Sequence, residues 1–265
     1  MADKKKNILF VVFAYVFFWG FLAIIVALIS AGVMDSEGTP MNIGIMIGSW
    51  TPTVSLLVLY KKLYPGSSVK NFYKNAFKER INWKMLSVVA IVQILIFIVA
   101  ISIVTFINKV SLTSLLDFSL QTVSMGFFWT LIQGATGEES GWRGFLQPSL
   151  EKKFSVTKSS VIVGIIWGCW HMPLWLFSGY AGKELIQYSL LFLLWVIFAT
   201  IIIGICYSRC RNLIVPIWIH FMFNFCMTVF TGDAIDALNV LTCITILYAL
   251  AAVSYIVWNK KTCFA

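Results

Sequence analysis

The chain has 265 residues, of which 60% are hydrophobic and only 12% charged, with a formal net charge of +9. A soluble domain of this length cannot hide so much apolar surface, which excludes a soluble globular enzyme and points to a polytopic membrane protein. The basic excess invites a nucleic-acid partner, but its confinement to short connections between apolar runs excludes that reading in favour of membrane topology.

The chain opens on Met1-Ala2-Asp3-Lys4-Lys5-Lys6, followed by an apolar stretch over 7–33. That stretch is too long for a signal-peptide core and lacks a small-residue cleavage site, so it is expected to remain as a membrane helix. Further apolar runs lie near 43–60, 85–107, 121–140, 159–178, 187–207, 213–231 and 239–258. Most can span a hydrocarbon core at helical rise; the run at 43–60 is the weakest, being short and interrupted by Pro52. The expected fold is all-α, a single integral membrane domain built as a helix bundle of about eight transmembrane helices, with both termini cytoplasmic. Residues 1–120 supply the N-terminal spans, 121–231 a central core of spans, and 232–265 the final span and a short basic tail.

Between the second and third runs, Gly66–Lys84 interleaves Val69, Phe72, Tyr73, Phe77 and Ile81 with lysines, the pattern of a short amphipathic helix on the cytoplasmic face. With the N-terminus inside, Lys109 and Lys183 are the only basic residues of the 20 left outside, Arg143 being counted with the inner set. Asp35, Glu37, Asp117, Glu184, Asp233 and Asp236 fall on the outer side. The basic face therefore meets anionic lipid heads. Cys169, Cys206, Cys210, Cys226, Cys243 and Cys263 lie within spans or on the reducing side and have no zinc-knuckle spacing. They read as packing residues.

Ionisable groups at membrane depth are costly and mark candidate functional sites. The run at 121–140 ends in Gly137-Glu138-Glu139, with Ser140-Gly141-Trp142-Arg143 following. Glu139 and Arg143 are i and i+4 on one helix face and can pair, while Glu138 points about 100° away and is free to act as a general base. The next run carries Trp167-Gly168-Cys169-Trp170-His171-Met172-Pro173, with Trp167 one turn from His171 and Pro173 removing a hydrogen bond to the Cys169 carbonyl. Further on, His220 and Asn224 share a helix face as i and i+4, and both can donate to a developing oxyanion. All three groups fall in the cytoplasmic half of their runs, which predicts a site facing the cytoplasm. The outer halves are almost purely apolar, which disfavours a proton channel or transporter.

In order and separation, these residues resemble the three helical motifs EExxxR, FxxxH and HxxxN of the CAAX-protease and bacteriocin-processing (CPBP) family, over roughly 121–231. The resemblance implies an intramembrane endopeptidase acting on a membrane-embedded or lipidated peptide. It implies that Glu138 activates a water with help from His171, that His220 and Asn224 stabilise the oxyanion, and that Glu139 with Arg143 supports them. Trp167 stands where the family motif has Phe, so Trp167→Phe is expected to be nearly silent. No cofactor is expected. The alternative is zinc held by Glu138, His171 and His220, which lack an HExxH spacing. A second functional reading keeps the fold without proteolysis, as a bacteriocin-immunity or accessory membrane protein.

Overall fold

In a hydrocarbon environment a backbone must satisfy its own hydrogen bonds, so each apolar run is driven into helix. The computed structural model describes residues 3–33 and 39–263, and each apolar run named above is mainly helical within them. Asp35 and Glu37, expected in an outer loop, and the terminal Phe264-Ala265 lie outside the described residues. Among the described residues four helices are long and apolar enough to cross a membrane. These are α1 (Asp3–Ser30), α6 (Trp83–Asn108), α12 (Gly182–Cys210) and the stretch Ala234–Asn259 of α14 (Ala234–Cys263).

The remaining runs are shorter or interrupted, and they carry the polar residues. The run at 43–60 divides into α2 (Thr39–Ser49) and α3 (Thr51–Val58) at Trp50, with Pro52 in the first turn of α3, where a missing N–H costs nothing. A single turn, α4 (Tyr60–Leu63), follows. The run expected to end at the double glutamate instead continues well past it. Helix α7 (Leu120–Thr130) passes through a kinked turn at Leu131–Thr136 into α8 (Gly137–Gly141). A π-helical turn, Trp142–Leu146, then leads to α9 (Gln147–Glu151). The helix expected to run to residue 178 also stops early. Helix α10 (Val156–Trp170) ends at His171, and the turn α11 (Met172–Trp175) holds Pro173 at its start. Helix α13 (Ile214–Thr228) is continuous but short.

The frame grips the interrupted helices at particular points. Helix α1 holds the end of α10: Phe18 stacks on Trp170 with ring centres 4.0 Å apart, and Trp170 Nε1 donates to the Ala14 carbonyl at 3.2 Å. The Trp170 carbonyl, released by the turn at His171, accepts from Trp19 Nε1 at 3.0 Å. Helix α6 holds α13 and α14 through Gln93, whose Nε2 donates to the Ile219 carbonyl at 3.0 Å and to the Tyr248 hydroxyl at 3.2 Å. Helix α8 lies so close to α3 that a Cβ on Gly141 would be 2.7 Å from the Pro52 carbonyl oxygen.

The amphipathic segment forms a helix over Val69–Ala76 only, α5, with Ser68 Oγ accepting from Asn71 N at its start. Phe72 is buried beside Tyr60 and Tyr64, and Lys70 and Lys74 are exposed. The helix is shorter than the pattern over 66–84 suggested because tertiary contacts take its last carbonyls. Leu213 N donates to the Ala76 carbonyl at 2.8 Å, while Asn212 Nδ2 reaches the Phe77 and Glu79 carbonyls at 3.2 and 2.7 Å. Asn212 is buried and its Oδ1 accepts from Ile214 N, so one carboxamide joins the α5 segment to the start of α13. Asn212→Ala leaves those groups without a partner and should cost about 1–3 kcal/mol. Thermal unfolding in detergent should fall by several degrees; an unchanged midpoint would show that the tie contributes nothing.

Candidate active site

The kinked turn decides where the glutamates point. Gln133 (φ −82°, ψ 134°) and Gly134 (φ 74°, ψ −84°) leave helical geometry, and only a residue without a side chain enters the second conformation readily. Such a break is tolerated at membrane depth when protein satisfies the freed backbone groups. Gly134 N donates to Ser49 Oγ at 3.2 Å, Trp50 Nε1 donates to the Ile132 carbonyl at 3.0 Å, and Thr136 Oγ1 donates to the Leu131 carbonyl at 2.7 Å. Glu138 and Glu139 thus open a new helical segment inside the bundle instead of closing one at its cytoplasmic end. Glu138 is 3% exposed and Glu139 is 0% exposed.

Glu139 pairs with Arg143 as their spacing predicts, Oε1 lying 2.8 Å from Nη1. Arg143, which the charge pattern placed among the cytoplasmic residues, is 0% exposed. Its Nη2 donates to Thr200 Oγ1 at 3.0 Å, and its guanidinium lies 4.4 Å over the Trp167 ring. The same Glu139 oxygen lies 2.7 Å from His220 Nδ1. An ionised carboxylate only accepts, so this contact assigns a hydrogen to Nδ1.

Glu138 has a different partner, its Oε2 accepting from Trp167 Nε1. The indole at this position is therefore a donor to the candidate base. That contact argues against a silent Trp167→Phe, because a phenyl ring cannot make it. His171 sits at the end of α10 with Nδ1 2.8 Å from the Trp167 carbonyl, and a carbonyl likewise only accepts. Its Nε2 is left for other partners. Glu138, Trp167, His171, His220 and Asn224 line one cavity of about 350 Å³, together with Gly134. Phe18, Ile45, Leu174 and Val196 supply apolar wall.

All of the candidate residues read from the sequence are therefore brought together. The chain pattern missed Thr200, one hydroxyl among many, and Ser49 with Trp50, which act from a separate helix. Gly134 had a signal, a glycine inside an apolar run, which marks a place where backbone departs from helix. Among the described residues no group of three or more His, Cys, Asp or Glu side chains gathers as a metal cage. Glu138, His171 and His220 each have one polar atom held by Trp167 or Glu139, an arrangement that metal ligands also show.

Residues 120–226 match the family model described as type II CAAX prenyl endopeptidase Rce1-like. A stretch of 112 residues is 34% identical to a protein of Methanococcus maripaludis named CAAX prenyl protease 2, covering 40% of this chain and 41% of that relative. The chain thus aligns with about two fifths of the relative's length. The matched segment, which holds every candidate residue, is similar to CAAX prenyl endopeptidases.

Removing one partner of a buried ion pair leaves the other charge uncompensated, at a cost of about 3–5 kcal/mol. Glu139→Ala should accordingly lower the unfolding temperature far more than Glu138→Ala, whose partner is a neutral indole. Equal, small shifts in the two variants would show that the buried Glu139–Arg143 pair contributes little to stability.

Proposed function

We propose that the chain is an intramembrane endopeptidase that hydrolyses a peptide bond of a membrane-embedded or lipidated peptide, using a water activated by Glu138. One observation carries this reading. Of two adjacent buried carboxylates, Glu139 is bound to Arg143 and His220, whereas Glu138 keeps Oε1 toward His220 and Asn224 in the cavity. Neighbouring groups of one type held in unlike surroundings mark a division of chemical labour.

In the proposed reaction Glu138 accepts a proton from water as the oxygen bonds to the scissile carbonyl carbon. The C–N bond then breaks and the proton passes to the leaving nitrogen. The Asn224 carboxamide is a neutral donor facing the cavity and suits the developing oxyanion. The imidazoles, each anchored through Nδ1, help to move protons through Nε2. The Trp167 indole fixes the Glu138 carboxylate. No step in this reading is routed through a metal.

The apolar walls of the cavity lie beside its polar groups, which suits a peptide bearing a lipid or large apolar side chains, and the named relative is a prenyl protease. A site opening toward the cytoplasm is supported by α5: its Tyr73 hydroxyl is 3.3 Å from Ser140 Oγ, beside Glu139, and its exposed lysines suit anionic lipid heads.

The test uses protein reconstituted in vesicles with a prenylated peptide ending in a CAAX box, its fragments identified by mass. Glu138→Gln should lower cleavage by about 10²–10⁴-fold. Trp167→Phe should lower it by about tenfold or more, the worth of one hydrogen bond to a charged group. Wild-type cleavage should survive strong chelators. Full function of Glu138→Gln in vivo would replace catalysis with partner binding or immunity, and loss of activity on chelation would sink the metal-free reading.

A further inference from the structure

We propose that a groove between α6, α12 and α14 is a discrete site for one anionic phospholipid, its phosphate held by Lys84 and Arg209 and one acyl chain laid along α6. The groove encloses about 620 Å³ and shares no lining residue with the cavity that holds Glu138. The inference is therefore independent of the proteolytic reading.

Three helix ends meet at the mouth of the groove. Lys84 stands in the first turn of α6, Arg209 in the last turn of α12, and Trp258 near the end of α14. Trp83 and Trp258 are 67% and 39% exposed, which suits tryptophans at headgroup level. From that level Met85, Val88 and Val92 form one stripe of α6, at i, i+3 and i+7. The stripe reaches about 12 Å inward from Lys84 at helical rise. A groove that is cationic at its mouth and apolar along its length fits an amphiphile with an anionic head.

The charge of the lining sets that sign. It includes two cations and no carboxylate. The first turn of α6 holds no acidic residue, so Lys84 stands at the positive end of the helix dipole, where a cation is disfavoured and an anion favoured. Asn82 Oδ1 accepts from Met85 N at 3.0 Å, which leaves the amide N–H groups to donate at the mouth. Arg209 is aimed by the Trp258 ring, 3.8 Å from its guanidinium, and by Asn259 Oδ1, which accepts from Nη2 at 3.0 Å. Other basic cavities of the chain are built differently. In one, Arg211 pairs with Glu151; in another, Lys152 lies 3.3 Å from Asp3, and Lys6 Nζ donates to the Leu63 carbonyl at 2.6 Å. A soluble phosphate would answer the two cations of the groove and leave its apolar stripe unfilled. A phospholipid answers both.

The stripe ends at Val92, next to Gln93, which ties α6 to the Ile219 carbonyl and the Tyr248 hydroxyl. An acyl chain there packs against the contact between α6 and α14, so occupancy stabilises the fold.

The test titrates the full chain in detergent with phosphatidylglycerol or with phosphatidylcholine of the same acyl chains. Bound lipid is counted by native mass spectrometry and the unfolding midpoint is followed. Each cation near a membrane surface favours an anionic head about fivefold, so wild type should hold one phosphatidylglycerol about tenfold or more tightly than phosphatidylcholine, with a raised midpoint. Lys84→Gln, at an exposed position, should weaken phosphatidylglycerol about fivefold and leave phosphatidylcholine unchanged. Val88→Trp keeps both cations but fills the stripe, and should weaken the bound lipid by about tenfold or more. Equal affinity for the two lipids overturns the site, as does wild-type binding by Lys84→Gln or by Val88→Trp. Inorganic phosphate raising the midpoint as much as phosphatidylglycerol would assign the mouth to a soluble anion. Displacement of phosphatidylglycerol by a farnesylated peptide would assign the groove to a lipidated peptide; either result overturns the phospholipid.

Discussion

A carboxylate shared between a guanidinium and an imidazole is the contact on which the rest of the site depends. Glu139 accepts from Arg143 and from His220 through the same oxygen, and all three side chains are buried. Placing a carboxylate and a guanidinium away from water costs several kcal/mol per ion unless each finds compensation. Compensation comes from several helices at once: His220 from α13, Thr200 from α12 and the Trp167 ring from α10. The ion pair itself lies within one helical segment, and separating any of these helices would take away one of the groups that compensate it. The network therefore fixes helix positions, and it also fixes a proton, because a carboxylate on Nδ1 decides what the other face of His220 offers.

The helices divide into two kinds with different work. Continuous ones such as α1, α6 and α12 satisfy their own backbones, and side chains like Gln93, Phe18 and Trp19 let them grip their neighbours. The interrupted runs expose backbone groups inside the bundle, and those groups must be met by other residues. Ser49 and Trp50, at the break between α2 and α3, meet the break at Gln133–Gly134. One irregularity thus satisfies the other. What is gained is direction: a helix that restarts at Gly137 turns Glu138 into the cavity, which an unbroken helix from Leu120 would not be free to do.

How far the sequence disclosed this follows from the range of each interaction. The apolar runs were legible because burial in lipid acts on every residue of a segment, and each became helix. The Glu139–Arg143 pair was legible because i, i+4 spacing is local. Helix ends were less so. The run past Glu139 continues to Glu151, and α10 stops at His171, because contacts from α1, α2 and α3 decide where those backbones leave the helix. The amphipathic pattern over 66–84 yielded helix over Val69–Ala76 alone, since Asn212, more than 130 residues away, competes for the carbonyls beyond it. Partners such as Thr200 carried no mark, as hydroxyls are common and only the fold chooses among them.

Trp167 shows why a motif position cannot be read by size and aromaticity alone. As a wall, indole and phenyl are close substitutes, which is why the family resemblance made the difference look harmless. In place, the ring does two things with different parts. Its face lies under the Arg143 guanidinium, a contact phenyl would keep in weaker form, while its N–H reaches Glu138 Oε2, a contact phenyl loses. A carboxylate without that donor keeps its chemistry but loses its aim, and Oε1 would no longer be held toward His220 and Asn224. The unequal fates of two adjacent glutamates thus come down to their partners. Glu139 meets permanent charge and becomes structure, whereas Glu138 meets a neutral donor on one oxygen only and remains available to react.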